Sequence, residues 1–224
     1  MNTLRPYVTT YSNISNRFRE AVAPGENAMR TVPNELLLDL GVLTLYDHTV
    51  IVDDSASMTS KLTSGSPRRL LVQRILGNIY SINAVIGRGL KEIHLASTFA
   101  GQPPTDRSQG RSSGESRIGS CLWKAIVKPL QKQRLVRPLV ITIITDGEVD
   151  PMEAHLLERA MLQGSRNMQI LRAPGALLFQ FVNVGKSSAE SKGGDGYGVL
   201  RALTRQSELV RYVDIVDWQR GMCW

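Results

Sequence analysis

The clearest signal along the chain is a repeated change of apolar period. Short, β-branched apolar runs at Thr49–Val52, Glu92–Ser97, Leu139–Thr145, Leu177–Val184 and Tyr212–Val216 are the predicted strands. Leu139–Thr145 is the most continuous of them, as expected for a strand buried on both faces. Between the strands, apolar residues recur every three or four positions. Ser66-Pro67 reads as an N-cap followed by a first helical residue, and Leu71, Ile75, Ile79, Ile82 and Ile86 then share one helical face. Ile118–Gln131 is a predicted helix that turns Ile118, Leu122, Ala125 and Ile126 inward. Asp150-Pro151 opens another, carrying Leu156, Leu157 and Ala160, and Tyr197–Gln206 forms the last. A short helix capped by Asn34 carries Leu36, Leu37 and Leu40. Thr98–Gly114 and Lys186–Gly198, rich in small and turn-forming residues, read as loops.

Strand–helix alternation of this kind predicts an α/β fold of three layers, Rossmann-like, with a mostly parallel central sheet and helices on both faces. Residues 1–33 are polar and weakly patterned, an N-terminal arm, and residues 34–224 form the folded domain. No internal repeat interrupts it. In such sheets ligands sit beyond the carboxyl ends of the strands, where strand order reverses. The residues directly after Val52 and Thr145 therefore carry the most weight.

Those residues are rich in hard oxygen donors. Asp53-Asp54-Ser55-Ala56-Ser57-Met58 follows the first strand and Asp146-Gly147-Glu148 follows Leu139–Thr145, while Gly114-Glu115-Ser116-Arg117-Ile118-Gly119 opens a helix between them. A carboxylate at a strand end, with hydroxyls two and four residues on, wraps oxygens around a small hard cation. Mg²⁺ favours near-octahedral oxygen ligands and keeps several waters. Taken alone, each segment also has a plainer reading. Asp53–Ser57 makes a Ser-rich capping turn, Asp146 a strand-end turn, and Ser116 a helix cap. Glu148 and Asp54 read as solvated or capping residues.

Taken together, the segments resemble a known family. Asp53-Asp54-Ser55-Ala56-Ser57 is similar to the D-x-S-x-S signature of the von Willebrand factor A (vWA) domains, and Thr145-Asp146-Gly147 to their T-D-G. Ser116 stands where the family usually places a threonine ahead of a helix. The stretches LYDHTVIVDDSASM, FQFVNVG and DIVDW resemble a fungal intracellular branch, and the likeness runs from about Leu43 to Trp218. It implies a metal ion-dependent adhesion site in which Asp53, Ser55, Ser57, Ser116 and Asp146 hold Mg²⁺ (or Mn²⁺). It further implies that a partner protein completes the ion's shell with an acidic side chain: binding rather than turnover. The segment between Phe99 and Gly114 is shorter than the family's usual connection, so Ser112, Ser113 and Thr105 are alternatives to Ser116.

Composition narrows the other classes. Among 224 residues, 42% are hydrophobic and 21% charged, a globular balance. The formal charge of +7 favours acidic partners, but Lys and Arg are scattered, with no basic, aromatic-interleaved cluster of the kind nucleic-acid binders carry. No run approaches the roughly 18 apolar residues of a membrane span, and the N-terminus lacks a signal-peptide pattern. With Cys121 and Cys223 far apart and outside any metal-ligand spacing, the expectation is a reduced, cytoplasmic protein, in which Asn13-Ile14-Ser15 is a chance sequon.

Two further readings remain beside the metal-dependent module: a metal-free interaction scaffold of the same fold, and a hydrolase. Gly110-Arg111-Ser112-Ser113-Gly114 matches a nucleophile elbow formally, but a loop rather than a strand precedes it, and His48 and His94 come before the serine. Gly185-Lys186-Ser187 lacks the earlier glycine of a P-loop, that position being Gln180. His48, His94 and His155 show no zinc spacing and read as surface or satisfied core residues.

Overall fold

The computed structural model describes residues 43–60, 67–85, 90–96, 115–131, 137–170, 176–185, 202–203, 205 and 213–217. The apolar runs become five strands: β1 (Asp47–Val52), β2 (Glu92–Leu95), β3 (Leu139–Thr145), β4 (Leu177–Asn183) and β5 (Val213–Asp217). They form one sheet in the order β2-β1-β3-β4-β5, every neighbouring pair parallel. The helices bounded within the described residues are α1 (Arg68–Val85), α2 (Ile118–Leu122), α3 (Lys128–Leu130) and α4 (Pro151–Ile170), with a π-helical turn at Trp123–Val127 joining α2 to α3. The result is a three-layer, Rossmann-like α/β fold.

Alternation along the central strands sorts the core into two layers. Ile51, Ile141, Ile143, Phe179 and Phe181 face α2 and α4, packing with Ile118, Leu122, Leu157 and Met161. Val50, Val52, Ile144 and Val182 face α1 and meet Leu71, Val72 and Ile75. Because β3 is covered on both sides, all its residues are buried, which is why its sequence reads as an unbroken run. Burying one such Ile or Phe side chain contributes about 1.5–3 kcal/mol.

The predicted helix at Ile118–Gln131 departs from regular geometry in its middle. Pro129 has no N–H to offer the carbonyl of Ala125, and its ring would clash there. The chain widens into the π turn instead, with the Lys128 N–H reaching back to the Trp123 carbonyl. That turns Val127 inward: it is fully buried, while Ala125, expected inward, packs only partly. In α1, Leu71 and Ile75 are buried and Ile79 and Ile82 half-buried. The helix expected after Asn34, the loops at 98–114 and 186–198, and Ile86 lie outside the described residues. Among the described residues no helix is long and apolar enough to cross a membrane.

This topology fixes where a ligand would sit. From β1 the chain travels through α1 to β2 on one side, and from β3 through α4 to β4 on the other. β1 and β3 are neighbours, Val52 pairing with Ile144. Their outgoing connections diverge to opposite faces of the sheet, which makes the carboxyl ends of β1 and β3 the switch point of a parallel sheet.

Candidate functional site

Asp53 is the first residue past β1, and its N–H still reaches the Ile144 carbonyl at 2.9 Å, so it leaves the sheet beside β3. Its carboxylate is 1% exposed as a residue and gathers three donors. Oδ1 accepts the Ser55 N–H at 3.0 Å, an Asx turn that bends the chain into the 3-10 turn Ala56–Thr59. Oδ2 accepts the hydroxyls of Ser116 and Thr145, each at 2.9 Å. Ser116 is brought 63 residues along the chain to meet Asp53, and it is itself buried. Ser55 is buried, and its Oγ stands 3.0 Å from the Ser57 Oγ.

The strand opposite supplies the rest. Thr145 ends β3, donates to Asp53, and accepts the Gly147 N–H at 3.0 Å. Gly147 sits at φ 80°, a conformation side chains disfavour, and this lets the turn double back. The Glu148 N–H then donates to Asp146 Oδ1 at 3.0 Å. The other Asp146 oxygen, Oδ2, accepts a 2.5 Å hydrogen bond from Arg68 Nη1.

Arg68 is the residue that reading the sequence missed. It opens α1, is 3% exposed, and also donates from Nη1 to the Ser57 carbonyl at 2.9 Å. Glu148 Oε1 lies 3.8 Å from the same nitrogen, on an exposed side chain. Arg68 Nε is buried with no hydrogen-bond partner among the described residues. A pair of arginines at the positive end of a helix, with no acidic residue in the first turn, was the signal available in the sequence. Pattern reading alone assigns such residues to the surface.

The electrostatics of the site are those of buried negative charge. Burial pushes the Asp53 carboxyl above its ordinary value, and the charge of Asp146 adds to this. The hydrogen bonds from Ser55 and Thr145 pull the other way. The donor set suits a hard cation: carboxylate and hydroxyl oxygens, without thiolate or imidazole. Among the described residues no group of three or more His, Cys, Asp or Glu side chains is placed to hold a metal ion. A cation here would rest on two carboxylates, neutral hydroxyls and water.

The five residues expected at the site thus fall in one connected network. Asp53 joins Ser55 and Ser116, Ser55 joins Ser57, and Arg68 bridges Ser57 to Asp146. The alternatives Ser112, Ser113 and Thr105 lie outside the described residues. The histidines stand elsewhere: His48 near the start of β1, His94 on the edge strand β2, and His155 exposed on α4. No protein-family model matches the chain, and no curated protein matches it.

Proposed function

We propose that the chain is a protein-binding module of the vWA type, which grips an acidic side chain of a partner protein through a divalent cation between β1 and β3. Asp53, Ser55, Ser57, Ser116 and Asp146 hold the ion, Mg²⁺ or Mn²⁺. Ligation largely by neutral hydroxyls and water leaves the ion electrophilic, so an incoming carboxylate completes its shell. The observation that carries this reading is the Asp53 carboxylate, buried at the switch point and receiving the Ser116 hydroxyl from ahead of α2 and the Thr145 hydroxyl from the end of β3. Burial of a carboxylate at the sheet's rim costs stability that a bound cation would recover.

A second reading rests on a specific observation, the Arg68–Asp146 pair. In it the site needs no metal, Arg68 serves as the permanent counter-charge, and the domain binds partners through other surfaces. Titrating Mg²⁺ and Mn²⁺ against thermal unfolding separates the two. A ligand that binds only the folded state stabilises it by about 2.7 kcal/mol at a hundred times its dissociation constant. The ion-binding reading predicts a midpoint that climbs with ion concentration in the wild type and stays flat in Asp53→Asn, which keeps the shape and removes the charge. A flat wild-type response leaves the metal-free scaffold.

A further inference from the structure

We infer that Arg68 is a tethered cation that competes with the divalent ion for Asp146 and, when the ion binds, transfers to Glu148. This rests on the ion-binding reading above and concerns how the site is loaded.

The first support is geometric. Arg68 Nη1 is 2.5 Å from Asp146 Oδ2 and 2.9 Å from the Ser57 carbonyl, so the guanidinium stands among the groups that would hold the ion. The guanidinium is a fixed cation with a planar donor fork, so a divalent ion that takes Asp146 must displace it. The second support is a donor that no described residue engages. Arg68 Nε is buried and has no hydrogen-bond partner among the described residues. Moving outward would relieve that orphaned donor. The third is that a destination is already in place: Glu148 Oε1 lies 3.8 Å from Nη1, with its side chain 60% exposed while that of Asp146 is 0% exposed. A modest rotation exchanges one carboxylate for the other.

Charge balance favours the exchange. The two connections carry Asp53, Asp54, Asp146, Glu148 and Asp150 against Lys61, Arg68 and Arg69, an excess of negative charge that a divalent ion offsets. Arg68 also stands at the N-terminal end of α1, where the helix dipole disfavours a cation and the first turn holds no acidic residue. Its place is therefore set by Asp146 rather than by its own helix. The consequence is a site with lowered ion affinity that is never left as naked buried charge.

The test is Mn²⁺ binding to the full chain by calorimetry, comparing wild type, Arg68→Gln, Arg68→Lys, Glu148→Gln and the double variant Arg68→Gln/Glu148→Gln. Removing the competitor is expected to tighten Mn²⁺ binding by about tenfold to a hundredfold. Arg68→Lys, which keeps the charge without the fork, should fall between. Glu148→Gln should weaken Mn²⁺ binding in the wild type, where Arg68 loses its landing site, and have little effect beside Arg68→Gln. Wild type and a folded Arg68→Gln binding Mn²⁺ equally would overturn the inference and leave the ion-binding reading standing. So would an equal effect of Glu148→Gln in both backgrounds. Binding by neither protein would end both. Should Arg68→Gln fail to fold, a wild-type affinity unmoved by either Arg68→Lys or Glu148→Gln is the overturning result.

Discussion

Gly185, just past β4, lies against the backbone of Asp146 so closely that a Cβ there would stand 2.2 Å from the Asp146 carbonyl oxygen and 2.9 Å from its carbonyl carbon. Neither atom belongs to a flexible side chain, so any side chain at 185 must displace the turn that aims Asp146 at Arg68. Gly185→Ala is therefore expected to cost about 1–3 kcal/mol by overpacking. It should also weaken divalent-ion binding, although residue 185 offers no ligand of its own. Urea unfolding and Mn²⁺ titration of the same variant check both. Unchanged affinity in a destabilised Gly185→Ala would separate the turn's packing from the site.

Ser116 reaches Asp53 across 63 residues, and the bond is buried. Hydrogen bonds to charged groups contribute about 1.5–3 kcal/mol, so Ser116→Ala should lose stability in that range in ion-free buffer. Ser116→Thr keeps the hydroxyl and restricts its rotamer, and should retain most of that stability. If Ser116 also holds the ion, Ser116→Ala weakens Mn²⁺ binding and Ser116→Thr does not. Chemical denaturation alongside the ion titration distinguishes a purely structural hydroxyl from a ligand.

The Arg68–Asp146 pair is the most sensitive feature of the site in the absence of ion, because neither partner is solvated: their side chains are 4% and 0% exposed. Removing one member of a buried pair leaves the other uncompensated, at a cost of about 3–5 kcal/mol. Asp146→Ala should reach that range. Arg68→Gln/Asp146→Asn, which removes both charges, should cost clearly less than the two single changes added together. A double-mutant cycle in chelator measures the difference, and additivity would mean the pair is not coupled.

How much of this was legible in the sequence follows from where each residue's constraints come from. Leu139–Thr145 was read to its exact bounds because two-sided burial leaves an uninterrupted apolar run. The weight given to the residues after Val52 and Thr145 followed from strand–helix alternation, since parallel sheets gather ligands beyond strand ends where strand order reverses. On the helix after Ser116, Ile118, Leu122 and Ile126 are buried as expected, while Val127 rather than Ala125 is fully buried, because a periodic template does not anticipate the turn widening ahead of Pro129. Arg68 was invisible for a different reason. Its partner Asp146 is 78 residues away, and only the adjacency of β1 and β3 brings them together. Local pattern carries information about the face a residue occupies, and much less about which distant charge it will meet there.

At the other end of β1, His48 makes the stability of the fold sensitive to acid. The Asn83 amide nitrogen stands 2.9 Å from His48 Nδ1 and is the donor, so the ring's proton is on Nε2, which donates to Thr142 Oγ1 at 2.8 Å. The Thr142 hydroxyl passes the chain on to Gln180 Oε1 at 3.2 Å. Burial holds the His48 pKa below its ordinary 6.5. The folded state thus prefers the neutral ring. A base whose pKa is lowered on folding contributes stability that is fully present above the unfolded value and is lost as pH falls from 6.5 through the folded value. Unfolding free energies measured from about pH 8 to about pH 5 should therefore decline below about pH 6.5, with a slope of up to one proton taken up on unfolding. His48→Gln, which can replace part of the hydrogen-bond chain without titrating, should flatten that share of the decline while costing stability at neutral pH. An acid profile identical in the two proteins would assign the loss to carboxylates instead, Asp53 excluded, since its raised pKa favours the folded state as pH falls.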